Sequence, residues 1–333
     1  MDHADLVNIN HYLKILSDKG LDEVLIVSPN SNDGYDDIND TSGSILRVGW
    51  WAVVCSDILR KLLLQTRPYE KNSGDTDRAH ENSLRKICAV LEQREVSTKK
   101  KLNMLMATMV ELIKIFSDIP ANYTKVKPLI GVVGEIYCRL DNYANAELIR
   151  RIERYAGEVW LAPVAEWVWY SNFYQNQQLK IQGDRFSTVM LGAMIKNIIQ
   201  TKDEHKLFAP FRRRFIGYEE PDNIKSIMKF AEPYLPYWGV VGEMLLNVGG
   251  AISMYNKGAD GIIDISPFTC MNGIVCEAIY PKVSEDHDNI PIKNFYFDGT
   301  DSDYDRDIEI FLELALSYKR RKKIQRSYPP HFI

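Results

Sequence analysis

Apolar and polar positions alternate with two different periods along this chain, and the changeover marks its organisation. Residues 4 to 19 carry a helical pattern stopped by Gly20, and "EVLIVSP" (23 to 29) reads as a short buried strand before an acidic loop rich in Asn, Asp, Ser and Gly. From Ser44 to Gln65, "ILRVGWWAVVCSDILRKLLLQ" is helical and strongly apolar. Two further helices are expected at about 75 to 94 and 100 to 118, with polar breaks between them. Residues 1 to 120 therefore predict a partial α/β unit followed by a helical layer.

"SDIPANYTKVKP" (117 to 128) has the prolines and polar residues of a linker, and the pattern after it changes. "PLIGVVGEIY" predicts a strand, "NAELIRRIERYAG" an amphipathic helix and "EVWLAP" a second strand, which makes a βαβ unit. A helical insertion is expected over about 163 to 234. Then follow the helix "VVGEMLLNVGGAISMYNKGA", the strand "DGIIDIS", a helix from Asn272, the strand "IPIKNFYFD" and a last helix from Asp303 to Lys322. Residues 121 to 333 thus predict an α/β domain with an open, mainly parallel sheet.

Ligands of such sheets lie beyond the carboxyl ends of the strands, where side chains and helix amino ends converge. Three groups occupy that edge: Gly131, Gly134 and Glu135; Ser266 to Asn272; and Asp298 to Asp301. The first is a candidate cofactor-binding turn, although "GVVG" lacks the spacing of a dinucleotide fingerprint. In the second, Cys270 follows a strand end and Pro267. A thiol near a helix amino end is biased toward thiolate, the form that attacks or binds metal, whereas a free cysteine elsewhere packs as a small apolar group. The local sequence leaves both readings open for Cys270. Cys276 points to another side of the same helix, Cys55 and Cys88 fit as core filler, and Cys138 stays ambiguous.

Arg67 in "TRPYE" could grip an anion or tie the helical layer to its neighbour by an ion pair with equal ease. No histidines pair at metal-ligand spacing, and neither a nucleophile elbow nor a phosphate loop is visible. Trp160, Trp167, Trp169, Tyr170, Phe173 and Tyr174 suggest a core or interface wall.

Composition narrows the function classes. With 333 residues, 45% of them hydrophobic, the chain can bury an ordinary core, and its net charge of -4 gives no general attraction to nucleic acid. No stretch has the apolar length of a membrane span and the first residues lack signal-peptide character, so a cytoplasmic protein is expected. Five scattered cysteines fit a reducing compartment better than a disulfide framework.

Several stretches taken together resemble the 2-hydroxyacyl-CoA dehydratase and benzoyl-CoA reductase superfamily, in its activase-related branch. They are "QTRPYE", "PLIGVVGEIYCRLDNYANAELIRRIE", "GEVWLAPVAEW", "GADGIIDISPFTCMNGIVCEAIYP" and "IPIKNFYFDGTDSDYDRDIEIFLELA", in order from about residue 65 to 315. The resemblance implies Rossmann-like α/β units, a [4Fe–4S] cluster on cysteines with Cys270 of "PFTC" as a ligand, and action with an ATP-dependent activase on a CoA thioester or another hard-to-reduce acceptor. Members of that branch carry a further cysteine-bearing α/β segment ahead of the region matching residues 1 to 30. A cubane usually needs four ligands. A second, cysteine-bearing subunit or a symmetric copy of the chain is therefore expected to complete the site, and a noncatalytic scaffold subunit is the alternative.

Overall fold

Most of the parallel sheet forms where the sequence places short, mainly apolar runs, because strands covered on both faces need no polar alternation. The computed structural model describes residues 12–21, 24, 44–181, 188–221, 223–237, 242–300 and 302–332. The strand expected over 23–29 and its acidic loop lie, Val24 apart, outside them. By compactness the chain falls into two units: Met1–Ala52 with Tyr170–Asp203, and Val53–Trp169 with Glu204–Ile333.

Within the first unit are a helical segment α1 (12–18), the beginning of α2 (Ser44–Thr66), the end of α7 (Val164–Ile181) and most of α8 (Thr188–Phe208). Asp203 organises it. Its carboxylate accepts from Arg47 Nε at 2.7 Å and Nη2 at 3.1 Å and from Trp51 Nε1 at 2.8 Å. Tyr170 and Phe173 are buried, so this part of the aromatic run is core.

The second unit holds α3 (Asp75–Leu91), α4 (Thr98–Ser117), β1 (Leu129–Gly134), α5 (Ile136–Leu140), α6 (Leu148–Arg154), β2 (Glu158–Leu161) and α9 (Ile224–Ala231). It continues with α10 (Met244–Asn256), β3 (Gly261–Pro267), α11 (Met271–Asp286), β4 (Ile292–Phe297) and α12 (Tyr304–Arg321). The four strands are parallel in the order β2-β1-β3-β4, so the expected open, Rossmann-like α/β sheet is the architecture observed. One sheet face buries Ile130, Val132, Ile263 and Ile265 against α6 and α12, through Ile152, Ile308 and Phe311. α10 and α11 cover the other. There Gly131 admits Met254, since a Cβ at Gly131 would lie 2.6 Å from its sulfur.

Caps set the helix ends. Ser97, Asn223 and Asp303 accept from the amides of Lys100, Ser226 and Arg306, and α12 runs from Asp305 and Asp307 to Lys319, Arg320 and Arg321, in line with its dipole. Two boundaries differ from the sequence pattern. Strand β1 stops at Gly134 (φ 128°), and Glu135 caps a helix, so Ile136 and Tyr137 are helical. α6 starts only at Leu148 because Ala146 and Glu147 take positive φ.

At the amino end of β2, Glu158 is fully buried. It accepts from Arg326 Nη1 and Nη2, both at 2.8 Å, from Tyr69 Oη at 2.7 Å and from Tyr218 Oη. The carboxyl-terminal tail is thereby anchored under the sheet.

Candidate functional site

The carboxyl edge of the sheet is built from two strand exits and the starts of three helices. At the first exit Gly134 leaves β1 with a conformation closed to other residues: a Cβ there would stand 2.1 Å from the Ile265 carbonyl oxygen. This lets Glu135 N–H reach Ile265 O at 2.8 Å. The Glu135 carboxylate then turns back to accept from Cys138 N–H at 2.8 Å and is spent as the cap of α5. Gly131 lies three residues deeper in the sheet, under α10. Local packing therefore accounts for Gly131, Gly134 and Glu135, the three residues expected to hold a cofactor.

At the second exit β3 ends in Pro267, and a tight turn follows in which Cys270 N–H bonds Pro267 O at 3.1 Å. Thr269 sits in that turn at φ 67°. A β-branched residue in the left-handed region is strained, and such strain concentrates where a backbone must present a group. The group presented is Cys270. It is the N-cap residue of α11, half-buried, flanked by the exposed Phe268 and Met271.

Cys138 and Cys276 point to the same edge from α5 and α11 but are buried. Burial, then the neighbouring Glu135 carboxylate, pushes the Cys138 thiol up to about 12. Burial, then Asp264, pushes the Cys276 thiol up as well, and its sulfur faces Met244 O at 3.9 Å. Both stay protonated at neutral pH. Cys55 is likewise a buried thiol, pushed up to about 12.

Below the thiols lies a group the sequence pattern did not single out. Arg139, from α5, is 2% exposed and donates through Nη1 to Ala162 O at 3.1 Å and Glu166 Oε1 at 3.4 Å. It also interacts electrostatically with Glu243, at the start of α10, and Asp264, in β3. Desolvation raises the carboxyls of Glu166, Glu243 and Asp264 to about 7 each, and the guanidinium only partly offsets it. Asp264 is further held by Tyr280 Oη and Ser266 Oγ, while Glu243 accepts from Ile136 N–H at 3.1 Å. One cation thus serves three buried acids, each raised chiefly by desolvation. The charge in the middle of the apolar "GIIDIS" was the one sequence signal for it.

The other candidates are engaged locally. Asp298 accepts from Thr300 N–H at 2.8 Å and Oγ1 at 2.6 Å in an exposed turn, and Asp301 lies outside the described residues. Arg67 spends its guanidinium on Glu153, at 2.7 and 2.9 Å, and Asp77, at 3.0 Å, while Glu70 caps α3. The tying ion pair is the observed arrangement.

Among the described residues no group of three or more His, Cys, Asp or Glu is arranged to hold a metal ion, and no helix is long and apolar enough to cross a membrane. Cys270 is one thiol rather than a ligand set, so these residues alone do not fit a four-ligand cluster. No family model, no curated protein and no solved structure matches the chain.

Proposed function

We propose that the chain is an iron–sulfur electron-transfer or dehydratase-like subunit that contributes one thiolate, Cys270, to a cluster completed by a cysteine-bearing partner. In this reading it works with an ATP-dependent activase on a CoA thioester or another hard-to-reduce acceptor. The observation that carries it is the presentation of Cys270. Of the thiols at the carboxyl edge it alone is not buried, it stands at the amino end of a 16-residue helix, and a strained Thr269 turn delivers it. The same unit buries Arg139 with Glu166, Glu243 and Asp264, whose carboxyls burial pushes up to about 7.

The scaffold reading draws on the apolar groups around the turn. Phe268 and Met271 are each 61% exposed, as suits a face that docks a protein. Anaerobic purification of the chain with the product of the neighbouring upstream reading frame separates the two. Iron and sulfide that depend on both polypeptides and disappear in Cys270→Ser but not in Cys88→Ser support the cluster subunit. Iron unchanged in Cys270→Ser refutes it, and a complex with neither iron nor sulfide favours the scaffold.

A further inference from the structure

The carboxyl ends of β1, β3 and β4 open side by side, because these strands are adjacent and parallel. Two backbone bonds tie their exits together: Glu135 N–H to Ile265 O at 2.8 Å and Phe268 N–H to Phe297 O at 2.9 Å. Tyr296 Oη reaches Glu277 at 2.8 Å, which fixes the first turns of α11 beside β4.

Apolar side chains leave this edge unfinished. Tyr137 and Leu140 of α5, Phe268 in the turn, and Met271 and Ile274 of α11 are each between 42% and 61% exposed, and the half-buried Cys270 stands among them. Met271, Ile274 and Glu277 recur every three residues and share the outer side of α11. Single exposed hydrophobic residues need no explanation, but five at adjoining exits present on the order of a few hundred Å² and mark an interaction site.

Charge decides what that face accepts. Asp141, which takes the Tyr137 hydroxyl at 3.2 Å, Glu277, Asp298 and Asp303 stand on its rim. Of the bases carried by these exits, Arg139 is buried, and among the described residues Arg306 alone reaches solvent. The amino ends of α5 and α12 are spent on carboxylates as well. Glu135 accepts from Cys138 N–H at 2.8 Å, Glu243 from Ile136 N–H at 3.1 Å and Asp303 from Arg306 N–H at 3.1 Å. Phosphates, nucleic acid and anionic lipid are therefore repelled at this rim rather than gripped. A second copy is disfavoured too, because a two-fold axis would set acidic rim against acidic rim.

We propose that this edge docks a protein whose contact face is apolar and rimmed by lysine or arginine. Its apolar centre covers Phe268, Met271 and Ile274, and its cations meet Asp141, Glu277 and Asp298. This deepens the cluster reading, on which it rests for the partner's cysteines alone. Docking is measured without iron, so either can fail by itself.

The probe is a fluorescein-labelled peptide of leucine and lysine at helical spacing, beside one with glutamate in place of lysine. Each is titrated against the reduced, metal-free full chain by fluorescence anisotropy. The lysine peptide should bind saturably and the glutamate peptide at least about tenfold more weakly, a difference of about 1.4 kcal/mol. Phe268→Ser combined with Met271→Ser should weaken the lysine peptide by a similar factor, and Glu277→Gln combined with Asp298→Asn by at least about threefold. Val110→Ser, at an exposed apolar residue of α4, should leave binding within about twofold. No saturable binding, equal affinity for the two peptides, wild-type affinity in either double variant, or an equal loss in Val110→Ser each overturns the proposal. The double serine variant should keep the urea midpoint of the isolated chain, since exposed residues contribute little to stability. A lowered midpoint would show that the chain itself covers the face. A dimer by light scattering that this variant dissociates would show that a second copy does, and either result overturns the proposal.

Discussion

Replacing Arg326 with methionine strips Glu158 of its counter-ion without leaving a large void. The wild-type carboxylate is fully buried and takes two guanidinium hydrogen bonds at 2.8 Å each, plus the hydroxyls of Tyr69 and Tyr218. The guanidinium also lies over the rings of Tyr218 at 4.6 Å and Tyr328 at 5.0 Å. In Arg326→Met the two hydroxyls remain, but an uncompensated charge stays in the interior, which costs about 3–5 kcal/mol. The methionine retains part of the packing on the tyrosines, so the charge accounts for most of the loss. Adding Glu158→Gln removes that charge and should recover about 2 kcal/mol or more, a coupling that a packing effect alone would not produce. Urea unfolding followed by circular dichroism of the wild type, both single variants and the double variant measures each corner of the cycle. A loss below about 1 kcal/mol in Arg326→Met, or a double variant no more stable than Arg326→Met, would show that the pair is not the anchor described.

The remaining expectations concern the carboxyl edge. Asp264 titrates at about 7 in the folded protein against an ordinary 3.8, so folding holds a proton that the unfolded chain releases. Its contribution is fully present below the unfolded value and is lost as pH rises through about 7. Asp264→Asn should therefore flatten the decline in stability from about pH 5 to pH 7 by about 1.4 kcal/mol per pH unit, and parallel slopes in urea titrations of the two proteins would contradict it. Thr269→Gly relieves a left-handed backbone at φ 67° and should raise stability by about 1 kcal/mol; a lowered urea midpoint would mean that the turn is not strained. Gly134→Ala sets a methyl group 2.1 Å from Ile265 O and should cost more than about 2 kcal/mol, whereas a neutral result would show that the β1 exit can move freely.

What the chain determines locally could be read from it directly. The runs "LIGVVG", "EVWL" and "GIIDIS" are strands because they are short, apolar and bounded by prolines or glycines, and the helices between them require a parallel sheet. The position of Cys270 after a strand and before a helix was legible for the same reason, since Pro267 and the change of period mark it. The strand order β2-β1-β3-β4 was not, because it depends on which distant edges pair. Nor was the gathering of Arg139, Glu166, Glu243 and Asp264 from four separate elements: apart from the charge inside "GIIDIS", each looks like an ordinary charge until burial removes its water, and desolvation belongs to the folded packing. Gly131 shows the same division. Its sequence context suggested a ligand turn, and only the approach of Met254 from α10 reveals the space that a side chain would have filled. Period and punctuation are properties of neighbours along the chain; proximity and charge burial exist only after distant segments have met.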